Sequence, residues 1–228
     1  MHALILAAGR GERLRPLTDT TPKPLLRVGK QRLIEYHLHA LAAAGFTEIV
    51  INHAHLGQRV VSVLGDGSAY GVHIHYSQEP EGALETAGGI VNALPLLKSD
   101  PFVVVNGDIW TDYPFVRLPT HLSGLGHIVL VDNPADHSEG DFLLTGNRVN
   151  EISDDSPGVR LTFSGIGIYH HCLFQDLEPA RFPLAPVLRD AMRNNMISGE
   201  YYPGRWVDVG TPNRLAELRT ELSARIGL

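Results

Sequence analysis

Apolar runs and helical stripes alternate along the first half of the chain. Residues 4–8 (LILAA) form an unbroken apolar run, the pattern of a strand buried on both faces. Residues 33–44 place Ile34, Leu38, Leu41 and Ala42 on one helical face, and Gly45 supplies a stop. A second strand is predicted at 48–52 and a short helix at 58–64, closed by the turn-rich GDGS of 65–68. A third strand follows at 72–76, a helix at 86–97 and a fourth strand at 102–105. This alternation predicts an α/β fold with a mostly parallel sheet, right-handed crossovers and helices on both faces. Ligands of such sheets sit at the carboxyl ends of the strands.

After Asp112 the pattern changes. Residues 127–131, 142–144, 149–152 and 161–169 are strand-like, and Gly146-Asn147 is a hairpin signal between two of them. They predict a smaller, more antiparallel layer. A helix is expected at 184–195, a short strand at 205–209 and a closing helix at 212–226 with Leu215, Leu218, Leu222 and Ile226 along its apolar stripe. No repeat, low-complexity tract or linker interrupts the chain. The expectation is one domain over 1–228, with halves 1–112 and 113–228 and a cleft between them.

Composition narrows the functional classes. The 228 residues suffice for a substantial core, and 43% hydrophobic against 19% charged content excludes disorder. A net charge of −6 without a long basic run argues against nucleic acid as a partner and for a small anionic ligand. Cys172 is the single cysteine, so no intrachain disulfide or thiolate cluster forms, and it is expected in the core. No run approaches a membrane span and no signal-peptide pattern opens the chain, so a cytoplasmic location is expected.

The first predicted strand feeds straight into Gly9 and Gly11, which permit a close main-chain approach to phosphate oxygens. Arg13, Arg15 and Lys23 follow, with Lys23 held between Pro22 and Pro24. Neither the P-loop nor the dinucleotide-binding glycine pattern is satisfied, since position 14 is Leu. Two aspartates, Asp108 in VVVNGDIWT and Asp208 in RWVDVGT, each follow an apolar stretch toward a strand end. A carboxylate there is expected to hold a cation or cap a helix. The histidines are scattered, and His170-His171 lacks a companion metal motif.

The string Leu6-Ala7-Ala8-Gly9-x-Gly11-x-Arg13-Leu14-x-Pro16-Leu17-Thr18, followed by Pro22-Lys23-Pro24, resembles the signature of the sugar-1-phosphate nucleotidylyltransferases. Glu12 departs from it, standing where many members carry Ser or Thr. The resemblance covers nearly the whole chain and implies a Rossmann-like nucleotidyltransferase fold with an antiparallel acceptor-binding layer. It implies transfer of a nucleotidyl group from an NTP to a sugar 1-phosphate, with Mg²⁺ on Asp108 and Asp208. Arg13 and Lys23 would hold the triphosphate and, with the two aspartates, form the catalytic set. Leu6, Ala7, Ala8, Gly9, Gly11, Glu12 and Asn106 would join them around the nucleotide.

The segment QEPEGALETAGG (78–89) resembles the family's base-reading stretch, with Glu85 in place of its usual glycine. Main-chain groups at Ala87 and Gly88 and the side chain of Gln78 would meet the base; Thr86 capping a plain helix is the alternative. Gly140, Glu151, Gly165 and Arg205 fall in segments similar to the acceptor-sugar region. The family's lysine near the sugar phosphate is absent, because Val149-Asn150-Glu151-Ile152 runs on into Ser153-Asp154-Asp155. Another cation or the metal must serve. Within the family the short chain and the form of its motifs most resemble members acting on UTP and N-acetylmuramic acid α-1-phosphate, and the resemblance implies these substrates, with GTP and mannose 1-phosphate, or another hexose 1-phosphate, as the alternative. Arg148, Arg160 and Arg205 are candidates to meet the lactyl carboxylate of the muramic acid. A single activity is expected, in a monomer or small homo-oligomer; a non-catalytic nucleotide-binding regulator would be expected to lose one of the four catalytic residues.

Overall fold

A computed structural model of the chain describes residues 1–80, 82–153 and 157–226. Glu81, Asp154 and Asp155 of the motifs above therefore lie outside the described residues, as does the side chain of Ile226.

The apolar run after Met1 becomes the strand His2–Leu6, with Ala3, Leu4 and Ile5 fully buried. It pairs in parallel with Glu48–His53 on one side and Phe102–Asn106 on the other, and His73–Gln78 extends the parallel part beyond Glu48–His53. Register places Leu6 opposite both Asn52 and Asn106. Three strands thus end at one level, and the loops that follow share an edge. The strand is shifted from the expected 4–8, because Ala7 leaves the ladder to donate its N–H to Asn52 Oδ1 at 2.5 Å.

The antiparallel strands extend this sheet rather than stacking on it. Val159–Tyr169 runs antiparallel to Phe102–Asn106 and then to Gly126–Val131; Ile197–Tyr201, Arg148–Asn150 and Phe142–Thr145 complete nine strands among the described residues. A register shift between Phe163 and Ile166 forms a bulge at Gly165, whose φ of +81° suits glycine. A side chain there would meet Asn106 Nδ2 at 2.6 Å, so the bulge lies against the end of the central strand.

Helices cover both faces. Leu33–Ala43 and Gly57–Leu64 bury Ile34, Leu38, Leu41, Val60 and Leu64 against Ala3, Ile5 and Ile51. Glu85–Ala93 and Leu184–Arg193 bury Ile90, Val91 and Leu188 against Leu4 and Val50. Each such side chain contributes roughly 1.5–3 kcal/mol on burial. The helix expected to reach 97 gives way after Ala93 to a 3₁₀ turn at Leu94–Leu96, because Pro95 cannot donate to a continuing helix. The closing helix Pro212–Ile226 packs Leu215, Leu218 and Leu222 on Leu14, Leu26, Trp110 and Val209. It clamps the first loop to the segments that carry both aspartates. Cys172, expected in the core, is exposed on the 3₁₀ turn His171–Leu173. No described helix is long and apolar enough to cross a membrane.

His37 stands on the helix Leu33–Ala43 with its Nε2 2.9 Å from the Ile109 carbonyl, one residue past Asp108. The acceptor is a carbonyl, so Nε2 carries the proton and donates. Burial holds the ring neutral, lowering its pKa from 6.5 to about 4. A pKa depressed in the folded state contributes stability that is present above pH 6.5 and lost as the pH falls through 4. The difference corresponds to about 3 kcal/mol. His37→Gln, which does not titrate, is expected to remove that slope from the pH dependence of stability between these limits. Urea unfolding of both proteins at pH 7, 5 and 4 checks it, and parallel curves would overturn it.

Candidate active site

An open cleft of about 380 Å³ lies at the shared carboxyl edge of the parallel strands. Leu6, Ala7, Ala8, Gly9, Gly11, Glu12, Arg13, Lys23, Asn106 and Asp108 line it, so most of the residues read from the two long motifs come together there.

The glycine loop is held by its own motif. Gly11 has φ +67°, and a Cβ on it would stand 2.9 Å from Thr18 Cγ2 and 3.2 Å from Lys23 Cβ. Only glycine fits that fold-back. Thr18, nearly buried, donates its hydroxyl to the Gly11 carbonyl at 2.8 Å, and Leu14 anchors the intervening turn in the core. The 3₁₀ turn Lys23–Leu25 begins between the two prolines, and the buried Lys23 reaches Asp108 Oδ2 at 2.8 Å. The lysine side chain is 7% exposed and the carboxylate 44%, so a buried cation projects onto a carboxylate open to the cleft.

Two short strands bring the aspartates together. Trp206–Asp208 pairs antiparallel with Ile109–Thr111, Asp208 stands opposite Ile109, and the Val209 N–H donates to the Asp108 carbonyl at 2.9 Å. Alternation sends Val209 into the core and leaves Asp208 on the other face, as expected. The ordered part of the strand is shorter than the expected 205–209. Gly107 donates its N–H to the Leu6 carbonyl at 2.8 Å, and a Cβ on it would stand 2.7 Å from that oxygen. Gly210 also lines the cleft; a Cβ there would lie 2.8 Å from Asp208 Oδ2 and 2.9 Å from Arg13 Nη2. Arg13 and the second aspartate therefore flank one glycine. Arg214 donates to Asp208 Oδ2 at 2.9 Å and, through its other Nη, to Asp136.

Asp108 lines the cleft, and Asp208 does not line it but stands beside the cleft-lining Gly210 on the paired segment; two carboxylates on adjacent segments suit a hard divalent cation, which takes its remaining oxygens from substrate and water. No cluster of three or more His, Cys, Asp or Glu among the described residues is arranged to hold a metal. The protein's share would be these two ligands. His170 and His171 both bond Asp100, a structural arrangement away from the cleft.

The base-side segment departs from expectation. Gln78 is exposed and does not line the cleft; the adjacent Glu79, just past the end of the strand His73–Gln78, does. Glu79 accepts from Asn52 Nδ2 at 2.6 Å and from the Leu84 N–H at 2.7 Å, and burial pushes its carboxyl above the usual range. Asn52 in turn accepts from Ala7, so one buried network ties the glycine loop to the base-side loop. Neither residue was singled out from sequence, although Asn52 ends an apolar strand at the ligand-binding edge.

Ala87 is fully buried in the core, and the Gly88 N–H donates to the Phe182 carbonyl at 3.3 Å. A Cβ on Gly88 would meet the Ala180 carbonyl at 1.9 Å, so a neighbouring segment packs on this glycine, and neither it nor Ala87 lines the cleft. Ala83, Glu85 and Thr86 line the cleft instead. Glu85 takes a φ of +59° at the place where the family pattern has glycine and pairs with Arg181 at 3.1 Å. Thr86 makes no cap, since the helix starts at Glu85 without a side-chain cap bond.

Most of the acceptor-side residues are engaged elsewhere. The Gly140 N–H donates to the His137 carbonyl at 3.2 Å, Glu151 accepts from Arg193 Nε at 2.9 Å, and Arg205 pairs with Glu221 of the closing helix. None of the three lines the cleft. Gly165 does abut it through Asn106. Of the arginines considered for a carboxylate, Arg160 pairs with Glu139 at 3.0 Å, and Arg148 is exposed on its strand.

Residues 2–139 match the family model described as nucleotidyl transferase. The chain is 55% identical over 226 residues to N-acetylmuramate alpha-1-phosphate uridylyltransferase of Neisseria meningitidis serogroup B, covering 95% of this chain and 96% of that one. It is 32% identical over 225 residues to mannose-1-phosphate guanyltransferase of Schizosaccharomyces pombe, with 93% of this chain and 61% of that protein covered. Among solved structures, a provisionally assigned glucose-1-phosphate thymidylyltransferase from Bacillus anthracis superposes with a TM-score of 0.85 at 23% identity, covering 98% of this chain and 96% of the other. The inositol-1-phosphate CTP transferase from T. maritima gives 0.78 at 19%, covering 97% and 95%. These two likenesses show the fold.

Proposed function

The chain belongs to the nucleotidyl transferase family and is a sugar-1-phosphate nucleotidyltransferase; from that premise we propose that it joins UTP to N-acetylmuramic acid α-1-phosphate, releasing pyrophosphate. The observation that carries this choice of substrates is the 55% identity to the meningococcal uridylyltransferase over nearly the full length of both chains. The guanyltransferase from S. pombe is less similar and is matched over 61% of its length.

In this reading a phosphate oxygen of the sugar 1-phosphate attacks the α-phosphorus of UTP. The new P–O bond forms as the bond to the β-phosphate bridging oxygen breaks, and that oxygen departs with pyrophosphate. No covalent enzyme intermediate is needed; the work is positioning and charge neutralisation. The loop Ala8–Gly11 presents main-chain N–H groups along the triphosphate, while Arg13 and Lys23 hold the β- and γ-phosphates and stabilise the leaving group. Asp108 and Asp208 would hold Mg²⁺, which when bound draws charge from the α-phosphate and aligns the two reacting phosphates. The base rests by the loop at Ala83, Glu85 and Thr86, whose position the Asn52–Glu79 network sets. We place the enzyme in the cytoplasm, acting as a monomer or small homo-oligomer.

The test is pyrophosphate release with each of four NTPs against a panel of sugar 1-phosphates. UTP with N-acetylmuramic acid α-1-phosphate is expected to give the highest kcat/KM. N-acetylglucosamine 1-phosphate, which lacks the lactyl carboxylate, is expected to be poorer by about tenfold or more. Equal or better kcat/KM with GTP and mannose 1-phosphate would replace these substrates and leave the nucleotidyl transfer standing.

A further inference from the structure

The acceptor half of the chain lacks the lysine that the family pattern carries near the sugar phosphate, yet two phosphates must meet at one point. Each of the two strand-end aspartates already bears an internal cation: Lys23 on Asp108 at 2.8 Å and Arg214 on Asp208 at 2.9 Å. Lys23 belongs to the nucleotide loop. Arg214 belongs to neither sequence motif and stands in the first turn of the closing helix, on a backbone fixed by the buried Leu215 and Leu218.

Arg214 is divided between two carboxylates. One nitrogen bonds Asp208 and the other bonds Asp136, which lies in the connection between Gly126–Val131 and Phe142–Thr145 and is 69% exposed. The arginine side chain is 23% exposed, so it is neither a free surface charge nor sealed in the core. Its partner oxygen, Asp208 Oδ2, is the one that flanks the cleft-lining Gly210. Arg214 and Asp208 stand beside Gly210 and not in the cleft lining itself, where Arg13 and Lys23 are joined by Asp108, Glu12, Glu79 and Glu85. Acidic groups outnumber cations along that lining, so an incoming sugar phosphate needs a further cation that turns to it.

We infer that Arg214 is the residue that holds the acceptor phosphate, and that its bond to Asp208 is the resting position it leaves when the sugar phosphate enters. This rests on the reading of the chain as a sugar-1-phosphate nucleotidyltransferase. A guanidinium suits the task because its planar fork binds two phosphate oxygens at once, and Asp136 keeps the second nitrogen anchored during the exchange. Occupation of Asp208 by a divalent cation acts in the same direction, since like charges at one carboxylate repel. Arg193 and Arg205 are committed to Glu151 and Glu221, and neither contacts a strand-end aspartate.

Arg214→Gln and Arg214→Lys test it. In steady-state pyrophosphate release, Arg214→Gln is expected to raise KM for the sugar 1-phosphate by about tenfold or more while KM for the NTP stays within about twofold. Arg214→Lys, which keeps the charge without the fork, is expected to fall between Gln and wild type. Mn²⁺ titration of the free protein, followed by electron paramagnetic resonance, supplies a second readout. Removing the competing cation is expected to tighten Mn²⁺ binding by about threefold or more. An unchanged acceptor KM, an equal rise in both KM values, or weaker Mn²⁺ binding would overturn the inference; the last result would make Arg214 a support for the metal ligand. Should the Gln variant fail to fold by circular dichroism, the Lys variant carries the same comparison. Wild-type turnover with unaffected variants overturns this inference alone, whereas no turnover of any sugar 1-phosphate by wild type overturns the functional reading and this inference with it.

Discussion

Asp108→Asn and Asp208→Asn are each expected to lower kcat by about 10²-fold or more, equivalent to about 2.7 kcal/mol of transition-state stabilisation. Asparagine keeps the shape and one oxygen but loses the negative charge, so the loss reports charge rather than packing. The two sites are not equivalent. At Asp108 the change leaves the buried Lys23 ammonium facing a neutral amide, whereas at Asp208 Arg214 retains Asp136. Asp108→Asn is therefore expected to lower the melting temperature more than Asp208→Asn. Rates at saturating Mg²⁺, together with thermal melts, decide the matter. Near wild-type turnover in either folded variant would remove that aspartate from the metal site.

Lys23→Met is expected to reduce kcat/KM for the NTP by about 10²-fold or more. Methionine preserves the apolar stem that packs beside Gly11, so the substitution removes the ammonium and little else. Lys23 is 6% exposed, and its preceding Pro22 has φ −53°, so the side chain is aimed before the ligand arrives. Little entropy is then lost when its ammonium turns from Asp108 to a phosphate. The effect should fall on KM for the NTP and on kcat, with KM for the sugar phosphate little changed, the reverse of the pattern expected at Arg214. Unchanged nucleotide KM and kcat would reduce Lys23 to a partner of Asp108 that supports the fold. Equal increases in both KM values would point to a general collapse of the cleft edge.

Much of the parallel half was legible in the chain because its signals are local. An apolar run followed by Gly9 and Gly11 specifies a buried strand and a loop able to approach phosphate; Thr18 closes that loop seven residues on. Helical stripes at Leu33–Ala43 and in the closing helix, and the hairpin at Gly146-Asn147, likewise need only their own neighbours. The aspartates could be singled out one by one, each at the end of an apolar stretch.

Tertiary structure alone decided which of these features meet. Asp108 and Asp208 adjoin because Trp206–Asp208 pairs with Ile109–Thr111 across about a hundred residues of chain, a contact set by topology and not by spacing. Of the neighbours Gln78 and Glu79, the packing of the sheet places Glu79 and not Gln78 at the cleft. The motif does not reveal that the chain near Ala180 packs directly on Gly88. Arg214 carries no motif; its place follows from where the closing helix docks. Local sequence determines the shape and chemistry of each loop through backbone freedom and periodicity. Which charges share a cleft depends on long-range pairing, because that is where buried polar groups find their partners.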